Sequence, residues 1–122
     1  MKYVILMQVD PAVLAGMSAD EQQAIGAGHQ KFIDEITASG EFLSTNALGD
    51  PSQSTVVRGT GGKPQVTEGP FAETKEFMGG YYLIDVESKQ RAVELALRIP
   101  DTAIDGLALE IRPVMFSAGA DL

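Results

Sequence analysis

The chain has 122 residues, 44% hydrophobic and 21% charged, a balance that fits one globular domain with a real core and excludes intrinsic disorder. It contains no cysteine, which excludes disulfides, thiolate metal sites and cysteine nucleophiles, and fits a cytoplasmic chain. Seventeen acidic against nine basic residues leave a formal charge of −8, which repels phosphate backbones and argues against a nucleic-acid partner.

Residues 2–9 are apolar on both faces and read as a buried central strand. This run is too short to span a membrane and no small-residue cleavage site follows it. No other stretch approaches the ~20 apolar residues a spanning helix needs, so no membrane partner is expected. Asp10-Pro11 breaks the strand. Ser18 and Glu21 then form a capping box, with Asp20 beside them at the positive end of the helix dipole. The predicted helix runs to Ser39, where Gly40 suits a left-handed stop. Its apolar stripe is Ile25, Phe32, Ile33 and Ile36. The helical period puts His29, the sole histidine of the chain, in the middle of that stripe.

A second strand is predicted over 41–48, closed by Gly49-Asp50-Pro51. Strands over 54–58 and 63–67 make a hairpin through Gly59-Thr60-Gly61-Gly62. A loop over 68–71 and a polar turn of helix over 72–78 follow, and Gly79-Gly80 introduces a strand over 81–86. Ser88 caps a second helix to Ile99, with Ala92, Leu95, Ala96 and Ile99 on one face; Pro100-Asp101 ends it. A last strand spans 107–115, and residues 117–122 form a loose tail to a single domain over 1–116. The order is β-α-β, an inserted hairpin, then β-α-β. The expected fold is therefore α+β and ferredoxin-like, with two helices on one face of a mainly antiparallel sheet. The other face lacks a cover within the chain, so a homodimer joined through its sheets is expected.

The segment Val66-Thr67-Glu68-Gly69-Pro70-Phe71-Ala72-Glu73-Thr74-Lys75-Glu76-Phe77-Met78-Gly79-Gly80-Tyr81-Tyr82-Leu83-Ile84 closely resembles the signature of the DGPF domain family, within the YCII-related group. That signature reads DGPFAETKE followed by a Gly-Gly-aromatic strand. The resemblance continues in Ala38-Ser39-Gly40, Ile99-Pro100 and Glu110-Ile111-Arg112-Pro113-Val114, so it covers nearly the whole chain. It implies a dimeric ferredoxin-like α+β fold related to small α/β-barrel dimers that include monooxygenases and isomerases, without supplying an established reaction. It also implies a helix-borne histidine working with a carboxylate, to which His29 corresponds, and an association with an extracytoplasmic-function sigma factor. One departure stands out: Glu68 occupies the place of the family's leading aspartate.

Two readings of these residues stay open. In one, the chain is a small enzyme or small-molecule-binding protein with a pocket between the first helix and the sheet. His29 would then act as general acid or base, since histidine titrates near ~6.5, with Glu68 as the loop carboxylate beside it. Asp10, Glu73, Glu76 and Asp34 are weaker partners, and Asp34 lies about 140° around the helix from His29. Phe71, Glu73, Thr74, Lys75 and Arg112 are the candidate substrate contacts, the two cations suiting a small anionic organic ligand. In the other reading His29 is a satisfied core histidine, Glu68 a loop cap, Phe71 a plug and 73–76 a solvated turn. The chain is then a non-catalytic regulatory or interaction module. One histidine without cysteine makes a poor zinc site, and no phosphate-cradling, flavin or nicotinamide fingerprint is present, so no metal or cofactor is expected.

Overall fold

The computed structural model, which describes residues 1–71 and 76–119, opens with strand β1 (Lys2–Val9). Its alternate residues Tyr3, Ile5 and Val9 are buried, while Val4 and Leu6 on the opposite face are half-covered. Helix α1 (Pro11–Ala15) follows at once. The Asp10 carboxylate accepts from the Ala12 N–H at 2.9 Å, and Pro11 stands where a helix leaves an amide proton unpaired in any case. Asp10-Pro11, which reads as a break from sequence, thus both stops a strand and starts a helix.

Helix α2 (Ala19–Ala38) has the capping box its sequence promises: Ser18 Oγ accepts from the Glu21 N–H and Glu21 reaches back to the Ser18 N–H. It ends at Gly40, whose φ of 79° lets the Glu41 N–H reach the Ile36 carbonyl at 2.9 Å and the Gly40 N–H reach that of Thr37. Strand β2 (Phe42–Ala47) leads through a 3₁₀ turn, Pro51–Gln53, to the hairpin of β3 (Thr55–Thr60) and β4 (Lys63–Glu68). The hairpin turns on Gly61 and Gly62, both at positive φ, as a twist-matched two-residue connection requires.

Strand β5 (Phe77–Asp85) begins earlier than the sequence suggests, because Gly79 and Gly80 lie inside it. A Cβ on Gly80 would stand 2.7 Å from the Asn46 carbonyl oxygen, and one on Gly79 2.8 Å from Val9 Cγ2. The glycine pair therefore permits close approach within the strand instead of introducing it. Helix α3 (Lys89–Ala96), capped by Ser88, is shorter than expected and gives way to a second 3₁₀ turn, Pro100–Ala103, before strand β6 (Leu107–Pro113).

The main sheet has the order β2-β5-β1-β6 with every neighbour antiparallel, and β3-β4 forms a separate ribbon. Two β-α-β units interleaved in this way make an α+β fold consistent with the ferredoxin-like arrangement. Phe32 and Ile36 from α2, Ala92, Leu95 and Ala96 from α3, and Ile5, Tyr82 and Ile84 from the sheet close one core on one sheet face. Arg91 adds a bidentate tie, Nε and Nη2 each donating at 2.9 Å to the Glu41 carboxylate, which links α3 to the turn after α2. That guanidinium holds the Glu41 carboxyl below its usual pKa against an opposing effect of burial. Among the described residues no helix is long and apolar enough to cross a membrane.

Candidate functional site

His29 lies on the sheet-facing side of α2, one turn before Phe32 and Ile33, as the apolar stripe requires. Its ring is held at both nitrogens. Nε2 stands 2.8 Å from Asp101 Oδ1 and Nδ1 stands 2.6 Å from Tyr82 Oη. The imidazole and phenol planes are within 11° of parallel, and Phe32 meets the Tyr82 ring edge-on at 5.1 Å. The three polar groups come from α2, β5 and the 3₁₀ turn after α3. The Asp101 and Tyr82 residues are buried, whereas the His29 side chain keeps 22% of its surface exposed.

The donors follow from chemistry. An ionised carboxylate can only accept, so Nε2 carries a proton and donates to Asp101. On a neutral ring Nδ1 is then a bare acceptor, and the Tyr82 O–H donates to it. On an imidazolium Nδ1–H donates to the phenol oxygen instead, which turns the Tyr82 proton outward. Burial first, and then the nearby Asp101 charge, push the Tyr82 phenol up to about 12. Tyr82 therefore stays protonated through the physiological range.

This shift has a stability consequence at alkaline pH. Above pH ~10 an unfolded chain loses the phenolic proton of residue 82 while the folded chain keeps it, so the unfolded state binds fewer protons and stability falls as pH rises. Between pH 9 and 11 the wild type should lose about 1–1.5 kcal/mol relative to Tyr82→Phe. Urea unfolding of both proteins at pH 9, 10 and 11 reads the difference, and parallel curves would contradict it.

Gly28 sets the distance between α2 and the Asp101 turn. A Cβ at that position would stand 2.6 Å from Pro100 Cγ, a ring carbon with little freedom to yield, and Pro100 immediately precedes Asp101. Two residues earlier, Gly26 has nothing within 4 Å of such a Cβ. The two alanine variants should therefore differ in sign. Gly26→Ala should stabilise by about 0.5–1 kcal/mol through helix propensity, and Gly28→Ala should destabilise by about 1–2 kcal/mol as overlap outweighs that gain. Denaturant midpoints measured side by side check the pair.

Beside the ring is a pocket of about 320 Å³, at the small end of ligand cavities. Met7, Val9, Ile33 and Ala47 supply its apolar wall, and His29, Tyr82, Asp101 and Thr45 its polar side. The Thr45 hydroxyl is already committed, donating to the Tyr81 carbonyl at 2.8 Å. A larger cleft of about 580 Å³, lined in part by Leu48, Pro70, Phe71 and Met78, contains no group poised as His29 is, so volume alone does not make it the site.

The other sequence candidates disperse. Glu68 ends β4, is exposed, and accepts from the Thr55 hydroxyl at 3.0 Å; the pairing of β4 with β3 places it in the ribbon, away from His29. The carboxylate that meets the imidazole is Asp101. Phe71 is 72% exposed, with the Arg58 guanidinium 4.7 Å from its ring centre. Arg112 pairs across from Val4 on the sheet face opposite the core, with Glu110 3.7 Å away. Glu73, Thr74 and Lys75 lie outside the described residues. Asp10 caps α1, and Asp34 accepts from Gln30 on the exposed side of α2. Asp101 and Tyr82 escaped sequence reasoning, although signals existed. Tyr82 shares its strand face with Ile84, and Asp101 directly follows the Ile99-Pro100 stop. Among the described residues no cluster of three or more potential ligands could hold a metal ion.

The family model for the YCII-related domain matches residues 1–116. An uncharacterised protein of Rhizobium meliloti (strain 1021) is 28% identical over 118 residues, which cover 93% of this chain and 92% of that protein.

Proposed function

This chain belongs to the YCII-related domain family, and we propose that it binds a small organic molecule beside His29 and moves a proton on it. The observation that carries the proposal is the imidazole held at both nitrogens, by Asp101 and Tyr82, at the edge of a pocket. In the forward step the Tyr82 oxygen takes a proton from the ligand while its own proton passes to Nδ1. Asp101 balances the imidazolium that forms, and Tyr82 then carries the proton it can return. Phe32 keeps the phenol aimed at the ring.

The test uses acetophenone, a small ketone with exchangeable C–H protons. Wild type in deuterated water should catalyse deuterium uptake into its methyl group, followed by NMR, and His29→Gln should lower that rate at least ~100-fold with folding unchanged. If neither acetophenone nor other small enolisable ketones exchange faster with wild type than with the variant, the proton-transfer reading fails. One observation favours a second reading: both ring nitrogens already have internal partners, as in a purely structural tie between helix, sheet and turn. Loss of stability in His29→Gln with no effect on ligand binding would select that tie, and with it a non-catalytic interaction module.

The outer sheet face, where Val4, Leu6, Tyr81 and Leu83 are half-covered, is assigned to a second copy of the chain. Sedimentation at micromolar concentration should give the mass of a homodimer; a monomer mass would remove the assignment.

A further inference from the structure

We infer that the pocket beside His29 selects an uncharged, largely apolar molecule carrying one carbonyl or hydroxyl oxygen, and rejects carboxylates of the same shape. The inference rests on the proposed site but asks only about binding. Met7, Val9, Ile33 and Ala47 form an apolar wall opposite the Tyr82–His29–Asp101 chain. Among the described lining residues the one permanent charge is the Asp101 carboxylate, which is buried and satisfied by a single imidazole N–H. With the ring neutral, a ligand carboxylate would enter a site that already holds a negative group and would lose water without gaining a cation; with the ring charged, the imidazolium is already balanced by Asp101. None of the four arginines lines this pocket: Arg91 is committed to Glu41, Arg112 sits on the opposite sheet face, Arg58 lies over the Phe71 ring, and Arg98 lines a separate cleft with Lys31. A neutral oxygen suits the site better, because Tyr82 can accept from a hydroxyl when His29 is neutral and donate to a carbonyl when the ring is charged. The remainder of the ligand gains by covering apolar surface.

Acetophenone and benzoate are nearly isosteric and differ in charge, so their dissociation constants isolate this point. Binding followed by protein-observed NMR should perturb His29, Tyr82 and Ile33, with acetophenone at least tenfold tighter than benzoate. Ile33→Lys, a change at a half-exposed wall position one turn beyond His29, should reverse the order by supplying the missing cation. Equal or tighter benzoate binding by wild type would overturn the inference. Wild-type benzoate affinity that is lost in Lys75→Ala would overturn it too and would identify the cation responsible. Absence of acetophenone binding at this site would do the same. Selective acetophenone binding without deuterium exchange would leave the inference standing and remove the catalytic proposal, so the two failures are distinct.

Discussion

Asp101→Asn is expected to leave the fold nearly intact and to lower deuterium exchange into acetophenone by ~100-fold or more. The amide is isosteric with the carboxylate, and its oxygen still accepts from His29 Nε2–H, so the 2.8 Å contact survives in the neutral protein. Stability should change by about 1.5 kcal/mol at most, the net value of one hydrogen bond. The amide cannot balance a positive imidazole, however, and an asparagine flipped to present its NH₂ would force the other tautomer. Nδ1 would then carry the proton and Tyr82 could no longer hand over its own. Thermal unfolding and the exchange assay on one preparation separate the two effects. A variant that exchanges as fast as wild type would show that Asp101 serves the fold alone. Asp101→Ala is less informative, because it also removes a buried partner and mixes stability with chemistry.

Phe32→Ala should have the largest effect on stability, a loss of about 3–5 kcal/mol and a melting temperature lowered by roughly 10–20 °C. Phe32 is 2% exposed and touches the core between α2 and β5, so truncation leaves a void that α2 cannot readily close. The same ring sets the Tyr82 phenol by its edge-on contact. Phe32→Leu, which keeps much of the volume but no aromatic face, should recover most of the stability and leave the Tyr82 ring less fixed. Urea denaturation gives the first quantity and the line width of the Tyr82 ring resonances gives the second. A Phe32→Ala loss below about 1 kcal/mol would mean that the site rests on some other packing.

Elements whose signal is local were legible before any coordinates. The Ser18–Glu21 capping box, the Gly40 stop and the inserted ribbon all depend on residues within a few positions of one another, and each formed where its residues are. The inward place of His29 was equally legible, since helical period fixes a face without reference to what lies opposite. Where two local rules compete, the sequence is less decisive. Gly79-Gly80 reads as punctuation, yet the strand runs through both glycines because Val9 and Asn46 come close enough to exclude a side chain.

The partners of His29 belong to a different category. Tyr82 and Asp101 stand 53 and 72 positions away in the chain, and no periodicity connects a helix position to a strand or turn so remote. Glu68 opens the most distinctive motif of the chain, yet it sits on an exposed ribbon. Asp101 is brought to the imidazole by the path of α3 and by the gap that Gly28 leaves for Pro100. The amino-acid sequence by itself thus determined the two long helices, most of the strands, the inward face of α2 and the family, but not α1, the 3₁₀ turns or where β5 begins. Only the tertiary structure decided which acid and which hydroxyl the histidine meets, because those contacts depend on packing between elements, and packing has no local code.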